Sequence, residues 1–348
     1  MKQNVTMKDI ADYLGVSKVT VSKALNDKEG VSDKLKAKII EEAKKQGYHM
    51  NLNAKSLRSN CSYNIGVIIP EQFTNTGEYY RGTDEISYYM NIYQILSNKL
   101  YEKNFSAILH ILSTKDEENN IIPRLYSDKK VDGFIVLGQV RRAYVQLLET
   151  LDIPTVYMDF YDDYLSMDSV NSDNFLGCHM ATNYLIEKGH RDIAFVGNVF
   201  YTSSIQDRFL GFYKSLLENR IMLAEDYIVC DRDDKGRYIR MVYPSKMPTA
   251  FVCNCDQVAY ELVNQLKCDG FRVPEDISVV GFDNSRYSNI CNPNITTVEE
   301  NTENMTKETI NVLFKKIANP NYHVGKILVK GELIVKNSVL EYKGKDEK

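Results

Sequence analysis

Apolar residues in the first sixty positions recur at helical spacing in three short bursts. From residue 63 onward the pattern changes to brief apolar runs alternating with longer amphipathic stretches. In the first burst Ile10, Ala11 and Leu14 share one helical face. Thr6 stands where an N-cap belongs, and Asp9 follows at the position from which a carboxylate can reach back to it. Gly15 supplies a tight turn, and Ser17 suits the cap of a second helix. On that helix Val21, Ala24 and Leu25 face inward, leaving Lys18, Val19, Ser22 and Lys23 directed elsewhere. The third burst, Leu35, Ile39 and Ala43, is capped by Ser32 and stopped by Gly47 after Lys44 and Lys45, whose charges suit a helix C-terminus. Two short helices about a glycine-containing turn, the second opening on small polar and basic residues, have the form needed to enter a DNA major groove.

In the remainder, the runs Ile65–Ile69, Phe134–Leu137, Thr155–Met158, Ile193–Val196, Ala250–Val252 and Ser278–Phe282 are short, β-branched and bounded by Gly, Pro or charge. Helical patterns lie between them at about Tyr88–Lys103, Phe175–Lys188, Gln206–Glu218, Gln257–Gly270 and Glu303–Ile317. Buried-type strands alternating with helices predict doubly wound parallel sheets covered on both faces. Ligands of such sheets bind beyond the carboxyl ends of the strands, so strand-end residues are the first candidates for function. A chain of 348 residues exceeds one compact core, so two or three units are expected.

Charge separates the two patterns. Residues 1–60 carry 12 Lys+Arg against 7 Asp+Glu, and the rest carries 31 against 40. A basic head on an acidic body places any phosphate contact on the head. Charge alone fits an ordinary lysine-rich surface better; the cap and turn spacing reverses that order in favour of nucleic acid. Motifs for dinucleotide, phosphate-loop, serine-hydrolase or zinc-protease chemistry are missing from the sequence. Seven scattered cysteines, without a paired Cys-x-x-Cys, suggest neither a disulfide framework nor a zinc site, so no cofactor is expected. Cys253 and Cys255 lie two apart at a strand end and read as a redox or metal pair, or as bland buried thiols. Free thiols, a polar N-terminus and no long apolar run point to the cytoplasm and to no membrane partner.

Several segments together resemble the LacI/GalR family of bacterial transcription regulators. They are Lys8-Asp-Ile-Ala-Asp, Gly15-Val-Ser, Thr20-Val-Ser-Lys-Ala-Leu-Asn26, Val31-Ser, Gly47-Tyr48 and Asn53-Ala-Lys-Ser-Leu57. The likeness continues through Asn64–Pro70, Val131-Asp-Gly-Phe-Ile-Val, Lys188–Gly197, Pro274–Asp283 and Ile295–Val298, nearly the whole chain. It implies an all-α helix-turn-helix head followed by an α/β body of two doubly wound parallel-sheet sub-domains, of periplasmic-binding-protein type. The expected division is a DNA-binding head at 1–49, a hinge at 50–62, a body at 63–343 and a tail at 344–348. Within the body the N-sub-domain is expected at about 63–161 and 290–320, and the C-sub-domain at about 162–289 and 321–343, with three chain crossings between them.

The resemblance also implies site residues. Base readers fall on Lys18, Val19 and Lys23. Lysine can donate to guanine, and valine can touch a thymine methyl. Where Lys23 stands the family often has arginine, whose planar fork a lysine cannot reproduce. Ser17, Thr20 and Ser22 read as phosphate contacts or as caps. In the hinge, Asn53, Ala54 and Leu57 match the helix that enters the minor groove, with Leu57 as the wedge between base steps. Without the resemblance Leu57 reads equally as a linker residue packed on the body. Met50 replaces the usual proline at the hinge entry, which leaves that entry less rigid.

For the effector, Arg208-Phe-Leu-Gly211-Phe212 fits the family's ligand-clamping pattern, and Asp283, closing Val279-Val280-Gly-Phe, matches a ligand-contacting aspartate. Asp159 and Ser204 fall at cleft positions, and Cys255 stands where many sugar-sensing members have asparagine. A cationic fork with carboxylates and a hydroxyl suits polyhydroxylated ligands, so a saccharide is the expected effector class. Outside the resemblance, Asp207–Arg208 reads as a helix-start salt bridge. In the Tyr-rich stretch Glu71–Tyr93 the rings either roof the cleft and stack on a sugar face or pack the first helix and the dimer surface; Tyr89 and Tyr93 sit at helical spacing and are expected to pack, while Phe73 is left open. The whole predicts a homodimeric, effector-controlled DNA-binding regulator, a repressor reading a pseudo-palindromic operator, and not an enzyme. The rivals are a sugar-binding transport protein and an α/β enzyme acting on a sugar. The short tail lacks the leucine heptads that would build a tetramer.

Overall fold

The computed structural model describes residues 5–25, 29–48, 61–74, 88–233 and 236–344. By its internal packing the chain divides into two units between Cys61 and Ser62. The hinge candidates Asn53, Ala54 and Leu57, and Tyr79 and Tyr80 of the Tyr-rich stretch, lie outside the described residues.

The head consists of α1 (Met7–Leu14), α2 (Lys18–Leu25) and α3 (Asp33–Lys45). Its start is a capping box: the Asp9 amide donates to Thr6 Oγ1 at 3.4 Å, and the Thr6 amide donates to the Asp9 carboxylate at 2.7 Å. Gly15 ends α1 at φ 64°, a left-handed turn that a side chain would strain. Ser17 Oγ then accepts the Thr20 amide at 3.0 Å and so caps α2. Ser32 occupies the N-cap position of α3 without a side-chain cap bond, so there the expected hydroxyl contact is missing. Ile10, Ala11, Val21, Ala24, Ile39 and Ala43 form the buried centre, one pair from each helix.

The body begins with β1 (Asn64–Pro70), α4 (Tyr88–Glu102), β2 (Ser106–Leu112), β3 (Gly133–Leu137), α5 (Arg142–Glu149), β4 (Thr155–Met158) and β5 (Ser169–Ser172). Next come α6 (Asn174–Glu187), β6 (Ile193–Val196), α7 (Ser203–Glu218), β7 (Ile228–Val229), β8 (Ala250–Cys253), α8 (Asp256–Cys268) and β9 (Ser278–Val280). The chain closes with β10 (Thr297–Glu299), α9 (Thr302–Ala318), β11 (Lys326–Val329) and β12 (Glu332–Ile334).

Two parallel sheets result, one ordered β11-β5-β4-β3-β1-β2 and the other β7-β6-β8-β9, while β10 and β12 pair antiparallel. Each sheet carries apolar clusters on both faces: Ile65, Val67, Ile69 and Met158 on one side of the first, Ile68, Phe134, Val136 and Tyr157 on the other. This is the burial that near-continuous apolar strands require. The chain crosses between lobes three times, after β5, after β10 and after β11.

These crossings differ from the expected boundaries. β5 pairs with β4, and β11 pairs with β5, so 169–172 and 326–329 belong to the first lobe rather than the second. Conversely, 297–299 pairs with β12, and Thr296 bridges Val280, which places that strand in the second lobe. The reason is local. Ser169-Val-Asn-Ser172 contains one apolar residue in four yet is buried throughout, because Asn171 donates to Ser169 Oγ at 2.9 Å and the ladder satisfies the backbone. A polar strand of this kind leaves no hydrophobic signal.

Candidate functional site

On α2, Lys18, Val19 and Lys23 are exposed, Val19 at 65% accessible. With Ser22 they cover an arc of about 140° at 100° per residue. Val21 and Ala24 turn inward on the opposite side. Ser17 and Thr20 have hydroxyls 2.8 Å apart, and the Ser17 hydroxyl also caps α2, which gives both residues a structural task at the helix start. Of the DNA-reading candidates described, the structure exposes Ser17, Lys18, Val19 and Lys23 and half-buries Thr20 and Ser22.

In the body, strand ends converge on Arg208, which lies in the second turn of α7 and is buried. Its Nε donates to Asn174 Oδ1 at 2.7 Å. Nη1 donates to the Asn254 carbonyl at 2.5 Å and to Asp283 Oδ1 at 3.0 Å, and Nη2 to Glu300 Oε1 at 2.6 Å. The guanidinium lies 3.8 Å over the Phe282 ring, a cation–π contact that closes its apolar side. Asp207 turns away to accept the Tyr161 hydroxyl at 2.7 Å, so the neighbouring pair is not a helix-start salt bridge.

Gly211, one turn after Arg208, explains the spacing of that motif. A Cβ there would stand 2.1 Å from the Phe175 carbonyl of α6, so only glycine lets the two helices approach closely enough to set Arg208 over the strand ends.

Asp159 follows β4 at φ 59°, and Asp283 follows β9 at φ 100°. Non-glycine residues held in the left-handed region cluster at binding sites, where the surrounding fold fixes them. Burial and the Glu300 charge lift the Asp159 carboxyl to about 7 against the opposing pull of Arg208. Burial raises Asp283 well above the ordinary carboxylate range, again with Arg208 opposing and Glu300 adding. Arg208 itself loses solvation, but Asp283, Glu300 and Asp159 hold it charged.

The structure thus brings Asp159, Arg208 and Asp283 together. Cys255, half-buried at the N-cap of α8, lies near enough to feel Asp283, and burial pushes its thiol up to about 12. Ser204, in the first turn of α7, has its hydroxyl 3.0 Å from that of the N-cap Thr202.

Several residues of the site were not found from sequence. Glu300 is buried and accepts the Tyr88 hydroxyl as well as Arg208. Asn174 and Asn254 hold the guanidinium from the starts of α6 and α8. Tyr89, expected to pack, donates to Asp159 Oδ2 at 2.8 Å while its ring lies 5.1 Å from Phe73, so it packs and bonds at once. Tyr93 does pack against the first-lobe core. Nor was Arg232 foreseen. It pairs with the buried Asp231 at 2.7 Å and lies beside the Tyr201 and Tyr238 rings.

A model of bacterial regulatory proteins of the lacI family matches residues 6–51, and one of periplasmic binding protein-like domains matches 182–339. Over 96% of this chain and 99% of the relative, the sequence is 31% identical to the HTH-type transcriptional regulator RegA of Clostridium saccharobutylicum. The chain belongs to the lacI family of bacterial regulatory proteins. As a lacI-family protein it is a DNA-binding transcriptional regulator. It is also 28% identical to the HTH-type transcriptional repressor PurR of Histophilus somni (strain 129Pt), over 96% of this chain and 98% of that one. The same fold recurs in the lac repressor dimer bound to operator and the anti-inducer ONPF, with a TM-score of 0.70 at 21% identity over 97% of this chain and 100% of that one. It recurs too in the complex of the regulator CelR with cellobiose, with a TM-score of 0.67 at 22% identity over 96% and 100%. Among the described residues no helix is long and apolar enough to cross a membrane.

Proposed function

We propose that this lacI-family regulator is a cytoplasmic, homodimeric repressor that binds a pseudo-palindromic operator and answers to a saccharide held between the two lobes of its body. The observation that carries the saccharide reading is the buried fork of Arg208 between Asp283 and Glu300, with Asp159 beside it at the end of β4. Fixed donors and acceptors of this kind orient sugar hydroxyls. Asp159, Arg208 and Asp283 are the direct contacts in this reading, with Cys255 and Ser204 at the rim. The complexes of CelR with cellobiose and of an Enterococcus faecium LacI-family regulator with ribose support the ligand class. The repressor names of the PurR relatives support the regulatory sense.

On DNA, Lys18, Val19 and Lys23 read base edges, and Ser17, Thr20 and Ser22 lie along the phosphates. Asn53, Ala54 and Leu57 take the minor-groove part that the family resemblance implies. The protein acts by binding, not by catalysis, and needs no cofactor. Ligand entering the cleft competes for the Arg208 guanidinium and shifts the angle between lobes, which alters operator affinity. A hundredfold preference for one form corresponds to about 2.7 kcal/mol of coupling.

The test is selection of duplexes from a random inverted-repeat library by the full-length protein, then titration of the winner with and without a saccharide panel. Enrichment of one inverted repeat, with affinity that changes when a saccharide is added, is expected. Failure to prefer any inverted repeat overturns the operator reading, and a selected duplex indifferent to every saccharide overturns the effector reading.

A further inference from the structure

Three carboxylates meet in the cleft around a single guanidinium. Asp283 and Glu300 pair with Arg208 at 3.0 and 2.6 Å. Asp159 has no ion pair among the described residues. Its Oδ2 accepts the Tyr89 hydroxyl, and its Oδ1 is buried with no hydrogen-bond partner. Arg208 cannot turn toward it without surrendering Asn174, the Asn254 carbonyl, Asp283 or Glu300. The next guanidinium, Arg232, is already paired with Asp231 at 2.7 Å. At the end of the neighbouring strand β5, Ser172 is 2% accessible and its hydroxyl too is buried without a partner. Two polar atoms left bare at adjacent strand ends, in a fold whose ligands bind at strand ends, mark where a ligand supplies the missing donors.

The kind of donor follows from charge. A neutral hydroxyl would satisfy the geometry at Asp159 and leave the carboxylate excess in place. An ammonium satisfies both, through a charge-assisted bond in a site largely shielded from water. We propose that the effector is a cationic saccharide, an amino sugar whose free ammonium binds Asp159 Oδ1 while its hydroxyls engage Asp283, Arg208 and Ser172. This rests on the saccharide reading above and narrows it. The raised pKa of Asp159 agrees with it: around neutrality the empty site shares a proton there, and a bound ammonium takes that proton's place.

The test is calorimetric titration of the full-length protein at about pH 7, where Asp159 is partly ionised. The probes are D-glucosamine, D-galactosamine, D-mannosamine and the β-1,4-linked glucosamine dimer, each beside its N-acetyl and its hydroxyl counterpart. At least one amine should bind about tenfold or more tighter than both counterparts. Asp159→Asn, which keeps the volume and an acceptor for Tyr89, should erase that preference. A hydroxyl counterpart that binds as tightly as its amine, or an amine preference that survives Asp159→Asn, overturns the proposal and leaves the saccharide reading standing. Silence from every sugar of this panel overturns the proposal as well, and the saccharide reading is then decided by the operator titration with the wider saccharide panel.

Discussion

Arg208 of α7 and Glu300, the residue after β10, form an ion pair at 2.6 Å with side chains 7% and 1% accessible, and that pair ties the second lobe to the strand that crosses back to the first. Two charges so deeply buried gain little net stability over apolar replacements, because desolvation consumes most of their attraction. Removing one partner is another matter, since it strands the other. Arg208→Ala would leave Glu300 and Asp283 without their cation. It should lower the stability of the body by about 3–5 kcal/mol and abolish the response of DNA binding to ligand. Urea unfolding read alongside operator titration checks both halves. A variant that unfolds normally and still responds removes Arg208 from the effector site.

Gly211 gives the second prediction. Glycine inside a helix costs about 1 kcal/mol relative to alanine when nothing else intervenes, so Gly211→Ala would stabilise an isolated α7. Here the added Cβ would meet the Phe175 carbonyl at 2.1 Å and the His179 amide at 3.1 Å, so α6 and α7 must part. A net loss of about 1–3 kcal/mol is expected, with weakened ligand response because Arg208 sits one turn away on the same face. Thermal melting of the variant decides the sign, and a higher melting temperature would show that the close approach is not what selects glycine there.

These two residues also indicate how far the sequence carried. The head was legible because each of its turns depends on a residue with a specific conformational job: Thr6 and Asp9 at one cap, Gly15 in the left-handed turn, Ser17 at the next cap. Arg208, Asp159 and Asp283 were legible through strand ends and a spaced motif. Glu300 was not, because the strand before it, Thr297–Glu299, is short and carries one aliphatic residue. β2, whose Ser106–Leu112 run mixes exposed and half-buried positions at the sheet edge, was missed for want of a continuous apolar signal. Tyr89 was read by its helical spacing to Tyr93, and spacing says nothing of where a hydroxyl points.

The exposed arc of α2 leads to a prediction about salt. As a reader of base edges, Lys18 should when changed to Ala weaken the selected operator more than a scrambled duplex; equal weakening of all duplexes, with a logarithmic salt slope reduced by about 1, would make it a phosphate contact instead. If Lys23 donates to a base edge, Lys23→Ala should cost about 1–3 kcal/mol on the selected operator and relax preference at one base pair. Titrations at several salt concentrations on operator and scrambled duplex separate the two roles. Equal losses on both duplexes for Lys23→Ala would demote it to a phosphate contact.

The last prediction concerns pH. Asp256 starts α8 with its carboxylate buried, Oδ1 accepting from Thr297 at 2.6 Å and Oδ2 from the Ser285 amide at 2.7 Å. Burial lifts it from 3.8 to about 7, with Lys336 opposing, and Asp159 is raised to about 7 as well. Between those limits the folded chain holds more protons than the unfolded chain, so the contribution of each group to stability is complete at low pH and is lost as pH rises through about 7. Buried His110 and His190 work the other way, but only below their ordinary value of 6.5. Asp168, held low by Lys316 and the Val324 and Gly325 amides against the effect of its own burial, acts only below 3.8. Above about pH 6.5 the aspartates, with the raised Asp283 among them, therefore dominate; stability should fall with a slope of at most about 1.4 kcal/mol per pH unit for each, and the share of Asp159 and Asp256 fades once pH has passed about 7. Asp256→Asn keeps the shape, can still accept the Ser285 amide while its NH2 donates to a re-oriented Thr297 hydroxyl, and removes the titration, so its stability should fall less steeply over the same interval. Parallel unfolding curves for the two proteins across that range would mean that Asp256 is ionised throughout and that its partners, not a retained proton, sustain it.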